Sequence, residues 1–291
     1  MPSHHPVSTL PRAVWLLLAV LLPFSGCAAP PPVPLTQTNE EGCTWRRSLG
    51  PQDPATDPPE IKQACVGPYL LEFPQNYFYE QMGADFQGYF SLALEYPSLQ
   101  PFKPGELSGF DRDVAMRIVK ITYWYPWRPV RDVLRSSYTP WESRKDDPAA
   151  SLQGRIEGAP VFGLVPYYAD LPRIHAYDRR QGATIRGSAP RNFLDRDWYI
   201  TRDVDGDVER IIKCASREMP GTGIEIRDGR IYKRMDEVTP RCRHMYIMPA
   251  MNIEGEISYP RFMLERWKDI EAQARALFVA GTQKDFSEES K

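Results

Sequence analysis

Between Ala115 and Tyr125 the side chains sort by parity, and this restricts the fold more than any other feature of the chain. Arg117, Val119, Ile121, Tyr123 and Tyr125 fall on one side, and Met116, Ile118, Lys120, Thr122 and Trp124 on the other. A period of two belongs to a β-strand, whose successive side chains point to opposite faces. Residues 86–96 alternate in the same way, with Phe86, Phe90, Leu92, Leu94 and Tyr96 on an approximate core face. Further runs at 69–73, 161–168, 198–201, 208–214, 242–248 and 251–258 read as strands. Asp228-Gly229, between Ile224-Glu-Ile-Arg and Arg230-Ile-Tyr-Lys, is the dipeptide that a type I′ hairpin turn favours.

Helical spacing is scarcer. Pro129 precedes Val130, Val133, Leu134 and Tyr138, a short amphipathic stretch with proline at its first position. Residues 260–280 carry a broad apolar stripe of Phe262, Leu264, Trp267, Ile270, Ala274, Leu277 and Phe278, with Pro260 as the start and Gly281 as the stop. The expected fold class is α+β, with mainly antiparallel sheet in two lobes, few helices, and the long C-terminal helix packed on the sheet. Twenty-nine prolines in 291 residues add many irregular connections. A boundary near residue 150 divides the expected lobes into 43–150 and 151–291.

The N-terminal segment reads as a signal and not as part of the fold. Its apolar core from Ala13 to Leu22 is about ten residues, where a bilayer span needs roughly 20. It ends in Phe24-Ser-Gly-Cys27, which resembles the lipobox of bacterial lipoproteins. That resemblance implies removal of residues 1–26 and acylation of Cys27. Acyl chains bury methylenes in a leaflet at roughly 0.8 kcal/mol each. The expected location is the periplasm, with a lipid anchor to the outer membrane. Residues 27–42, which include four prolines, read as a tether with a rise of about 3.1 Å per residue where extended.

Setting Cys27 aside leaves Cys43, Cys65, Cys214 and Cys242, a disulfide number in an oxidising compartment. Three pairings are possible. The local one, Cys43 with Cys65 and Cys214 with Cys242, is the simplest, and each bridge would contribute roughly 3 kcal/mol through loop closure. The close Cys-x-x-Cys spacing and nearby histidines of a zinc site are missing.

Charge excludes one partner class. Removing residues 1–26 takes away Arg12 and no acid, which leaves 35 basic against 38 acidic side chains and a formal charge of −3. A phosphate-backbone binder needs a basic excess or a basic face, so nucleic acid is not an expected partner. Arg46-Arg47 and Arg179-Arg180 read as solvated turns.

Catalytic signatures are equally sparse. The chain contains no Gly-x-Ser-x-Gly, no His-Glu-x-x-His and no glycine-rich phosphate loop. Beyond the signal only His175 and His244 remain, and most hydrolytic mechanisms near neutral pH use an imidazole. His175 reads as a loop residue and His244 as a strand residue, both structural. No cofactor, metal or catalytic residue is expected. An enzyme acting on glycans would need two carboxylates within about 10 Å in a cleft.

Two clusters suit protein recognition. Tyr123-Trp124-Tyr125-Pro126-Trp127-Arg128 is the densest aromatic stretch, and aromatics with arginine anchor interfaces; the alternative is a strand end packed into its own core. Asp203-Val-Asp205-Gly-Asp207 spaces acids alternately but departs from the calcium-loop pattern. It reads as a solvated hairpin tip, with a weak cation site or an acidic contact surface as the other choices.

The stretch Cys65-Val-Gly-Pro-Tyr-Leu-Leu-Glu-Phe-Pro74 resembles the Cys-Val-Gly-x-Tyr-Leu opening of immunity lipoproteins that protect users of type VI secretion from lipase effectors. The strand-to-helix segment from Ser258 to Gly281 is similar to their closing segment. The resemblance implies a protein that catalyses nothing and occludes a secreted lipase or phospholipase effector, with the phospholipase D class as the expected one. The competing expectation is a structural or assembly lipoprotein that binds a cell-wall or outer-membrane partner.

Overall fold

The computed structural model describes residues 35–47, 52–84, 88–109, 111–182, 196–219 and 221–282. The apolar N-terminal segment and Cys27, and with them the expectations of cleavage and acylation, lie outside the described residues, as does Phe86. The described residues all belong to one compact unit.

Two hairpins open it: β1 (Thr36–Thr38) with β2 (Thr44–Arg46), and β3 (Ile61–Val66) with β4 (Tyr69–Pro74). The main-sheet strands that follow are β5 (Tyr89–Glu95), β6 (Gln100–Pro101), β7 (Ile118–Trp124), β8 (Arg155–Glu157), β9 (Val165–Ala169), β10 (Asp197–Arg202) and β11 (Val208–Cys214). A third hairpin, β12 (Ile224–Arg227) with β13 (Arg230–Lys233), precedes β14 (Arg241–Met248) and β15 (Ile253–Pro260). Nine strands form one sheet in the order β6-β5-β7-β15-β14-β11-β10-β9-β8. Every pairing among the described residues is antiparallel.

Among the described residues four α-helices accompany these strands: α1 (Arg112–Ala115), α2 (Val130–Ser136), α3 (Leu171–Arg180) and α4 (Trp267–Gly281). The sheet's alternation supplies two cores. On one face Phe90, Leu92, Leu94, Val119, Ile121, Tyr123, Ile253 and Ile257 meet Ile270, Ala274 and Phe278 of α4, all in one buried cluster. Each fully buried side chain of this kind contributes roughly 1.5–3 kcal/mol. Gly255 lies on this face, and a Cβ there would stand 2.1 Å from the Tyr246 ring, so the missing side chain makes room for the tyrosine. On the other face α2 places Val130 and Leu134 against Trp198, Ile200, Ile211, Met245 and Ile247.

The type I′ reading of Asp228-Gly229 holds: both residues have positive φ, 48° and 74°. Both local disulfides are present, Cys43–Cys65 and Cys214–Cys242. The second joins directly paired positions of β11 and β14.

Four features depart from the sequence-based expectations. Strands from both sides of residue 150 share the nine-stranded sheet, because β7 pairs with β15 from the far end of the chain. The last part of the expected tether is folded, since Thr36–Thr38 pairs with β2 and the Asn39 carboxamide accepts the Cys43 N–H at 2.8 Å. His175 sits on α3 and not in a loop. Asp170 caps that helix by accepting the Arg173 N–H at 3.1 Å. Finally, the closing helix begins as a 3-10 turn over Arg261–Arg266, and Gly281 is its last residue and not a left-handed stop. A Cβ on Gly281 would lie 2.3 Å from the Phe73 ring, so packing selects the glycine.

Candidate partner-binding surface

The aromatic cluster of the sequence divides at the end of β7. Tyr123 points into the core: it is fully buried, its hydroxyl donates to the Ala274 carbonyl at 2.7 Å, and its ring lies 5.1 Å from that of Phe278. Trp124 faces the other way, half-buried, with its ring 5.8 Å from Tyr89. Tyr125 rests on Gly67, where a Cβ would come within 2.2 Å of the ring. Trp127 is 91% exposed, and the half-buried Arg128 holds its guanidinium 5.6 Å from the indole.

Asn252 fixes this stretch. It occupies the left-handed region at φ 52° in the β14–β15 turn. Its carboxamide accepts the Val130 N–H at 2.8 Å and donates to the Pro126 and Arg128 carbonyls at 3.1 and 3.5 Å. Trp127 therefore projects from a braced loop. Bracing lowers the ordering cost that an interface anchor would otherwise bring to binding.

The acidic hairpin meets the same end of the sheet. Arg131, which follows the braced Val130 on α2, pairs with Asp203 at 3.3 Å. The Asp203 carboxylate also accepts the backbone N–H groups of Asp205 and Asp207 at 3.1 and 3.0 Å. Desolvation works against its charge, but these donors and Arg131 outweigh it and hold the carboxyl below its ordinary range. Asp203 thus shapes the turn. Val204, Asp205 and Asp207 are exposed around it, with Val204 wholly so. The two clusters noted in the sequence form one surface, with an aromatic ridge beside an acidic tip.

Among the described residues, one buried constellation has the composition of an acid–base site. Glu271 of α4 is 4% exposed and His244 of β14 is fully buried, with Nε2 to Oε2 at 2.9 Å. Arg210 of β11 reaches the same oxygen at 2.8 Å, and Arg275 reaches the other at 2.7 Å. Burial pushes the Glu271 carboxyl up, but His244 and the two arginines overcome this and bring it down to about 2. Burial lowers the His244 imidazole despite Glu271, and the arginines push the same way. A neutral imidazole donating Nε2–H to a carboxylate, with Nδ1 facing the Tyr259 hydroxyl at 3.4 Å, satisfies every member. His244 and Glu271 are buried between α4 and the sheet, with Arg275 part-exposed at the rim, and the cluster cross-links the two.

A cavity of about 1040 Å³ lies at the opposite end of the sheet, lined by Tyr96, Lys103, Arg230 and a carboxylate pair, Glu95 and Glu106. Arg117 binds both carboxylates. The pair is occupied by that guanidinium. No group of three or more His, Cys, Asp or Glu placed to hold a metal occurs among the described residues, and no helix among them is long and apolar enough to cross a membrane.

No protein-family model matches the chain, and no curated protein matches it. Among solved structures it is similar to an immunity protein of the Stenotrophomonas maltophilia type IV secretion system. Identity is 23%, the TM-score is 0.66, and the match covers 86% of this chain and 99% of that one. The two chains share a fold.

Sequence reasoning overlooked Asn252 and Arg131, which build the surface without being its exposed tips. A left-handed asparagine between two strands is a signal that sequence offers; the reach of Arg131 to Asp203, 72 residues away, is not. It also overlooked Lys213. Burial, reinforced by Arg155, Arg243 and Arg196, lowers this amine to about 7 while it lies 4.0 Å from the Trp198 ring.

Proposed function

We propose that this protein is a secretion-system immunity protein that binds a secreted effector in the cell envelope and covers the entrance to its active site. The observation that carries the reading is the fold shared with an immunity protein over 99% of that protein's length. Occlusion needs a firm, exposed surface. The Asn252-braced loop with Trp127, beside the tip with Asp205 and Asp207, supplies one. The resemblance at Cys65–Pro74 narrows the effector to a lipase or phospholipase of a type VI system. Phospholipase sites that hold phosphate with basic side chains complement an acidic tip. Acylated Cys27 would keep the inhibitor at the outer membrane, where such an effector meets its substrate.

The test is periplasmic co-expression with the effector encoded beside the gene. Protection from lysis and a nanomolar complex are expected. Reversal of Asp205 and Asp207 to lysine should weaken binding at least tenfold, and unchanged affinity would remove the hairpin from the interface. An effector that kills equally well with and without the protein would overturn the immunity reading, and Cys27→Ala separates anchoring from inhibition.

A further inference from the structure

A groove of about 590 Å³ lies between the β1–β2 turn and the end of β7. Its aromatic lining is Trp124 and Tyr125 with the buried Trp45, and its rim is Glu40 and Glu41. Both glutamates are exposed, and no ion pair or hydrogen bond engages either among the described residues. No lysine, arginine or histidine among the described residues lines the groove.

Several rings elsewhere receive a cation from the chain itself: Arg155 lies 3.8 Å from the Trp198 ring, Arg217 3.8 Å from Tyr168 and Arg275 4.6 Å from Tyr246. Trp124 and Tyr125 receive none among the described residues. An aromatic face attracts a cation through its quadrupole, and a carboxylate beside it adds charge-assisted hydrogen bonds.

The walls are held in place before anything binds. Asn39 donates to the Gly67 carbonyl at 2.6 Å and accepts the Cys43 N–H, so the turn carrying Glu40 is tied to the turn beneath Tyr125. The Cys43–Cys65 disulfide links the same two segments covalently. The Tyr125 ring packs so closely on Gly67 that no side chain fits between them.

We propose that the groove receives a lysine or arginine side chain of the protein partner, as a second anchor point beside Trp127. The inference rests on the immunity reading for the partner's identity, and on the groove's own chemistry for what is bound. Trp124 and Tyr125 continue directly into the exposed Trp127, so one partner could contact both features.

The test uses the full chain with ¹⁵N-labelled indoles. Arginine amide should shift the Trp124 indole signal saturably in the millimolar range, and the neutral isostere citrulline amide should not. Glu40→Gln with Glu41→Gln changes two exposed side chains and should weaken the arginine response at least tenfold while leaving the circular dichroism unchanged. The same double variant should bind the effector at least tenfold more weakly. Equal responses to the two amides, or none, would overturn the groove as a cation site. A groove that binds arginine amide while the double variant holds the effector at full affinity would overturn the partner side chain as occupant, and so would a Trp124 response to phosphatidylethanolamine vesicles alone. A wild-type chain that binds arginine amide but no effector would refute the immunity reading and leave the groove's cation chemistry standing.

Discussion

Replacing Glu271 with glutamine should remove the pH dependence of stability in one window and leave two arginines facing each other under α4. Both carboxylate oxygens are in use: Oε2 by Arg210 and His244 at 2.8 and 2.9 Å, Oε1 by Arg275 at 2.7 Å. With the folded group near 2 and its ordinary value at 4.5, the difference amounts to about 3 kcal/mol at roughly 1.4 kcal/mol per pH unit. The sign follows from the direction. A carboxyl lowered by folding contributes fully above its unfolded value and loses that contribution as pH falls from 4.5 toward 2. Loss of the charge exposes the repulsion between Arg210 and Arg275, and breaking a buried pair costs about 3–5 kcal/mol. Urea unfolding followed by tryptophan fluorescence at fixed pH from 2 to 7 measures both effects. The gap between wild type and Glu271→Gln should be about 3 kcal/mol at pH 6 and should close below pH 3. A gap that stays constant across the range would refute the claim that the carboxylate holds the cluster by its charge. His244 contributes in a higher window: its folded value lies below 6.5, so its share of stability is lost as pH falls beneath 6.5.

Three further outcomes are expected. Cys214→Ala with Cys242→Ala should lower stability by about 3.6 kcal/mol, the loop-closure value for a separation of 28 residues, and reductant should cost the wild type more than the variant, which keeps only the Cys43–Cys65 bridge. Asn252→Ala removes three hydrogen bonds and puts alanine at φ 52°. A loss of about 2 kcal/mol follows, read by the denaturation midpoint, together with faster amide exchange at Val130. Trp127→Ala should leave stability within about 0.5 kcal/mol because the side chain is 91% exposed, while titration calorimetry should show at least a tenfold loss of effector affinity; full affinity would exclude the ridge from the interface.

Local patterns were the legible part of the fold. The parity of residues 115–125 placed Val119, Ile121 and Tyr123 on one side of a strand, and all three are fully buried on the α4 face. Asp228-Gly229 announced its hairpin because a two-residue turn needs positive φ at both positions. Helix α3 escaped notice because its buried positions are only Ile174 and Asp178, too few to make a stripe. The β1–β2 hairpin was hidden by the prolines before it and by its polar side chains, whose partners are a turn 28 residues on. The candidate surface was half legible. Its aromatic and acidic segments stand out by composition, but their meeting depends on Arg131 and Asp203.

By itself, the order of side chains along this chain determined what short-range physics can: strand periodicity, turn chemistry, the apolar stripe of the last helix and the nearness of paired cysteines. Each depends on neighbours within a few residues, or on the closure of one short loop. Only the tertiary structure decided that the strands would join in a single sheet, and that His244, Glu271, Arg210 and Arg275 would neutralise one another beneath a helix. It also decided which rings of one aromatic run are core and which are surface. Those outcomes depend on burial and on charge at distances that sequence separation does not encode, because β7 finds its partner in β15, more than a hundred residues away.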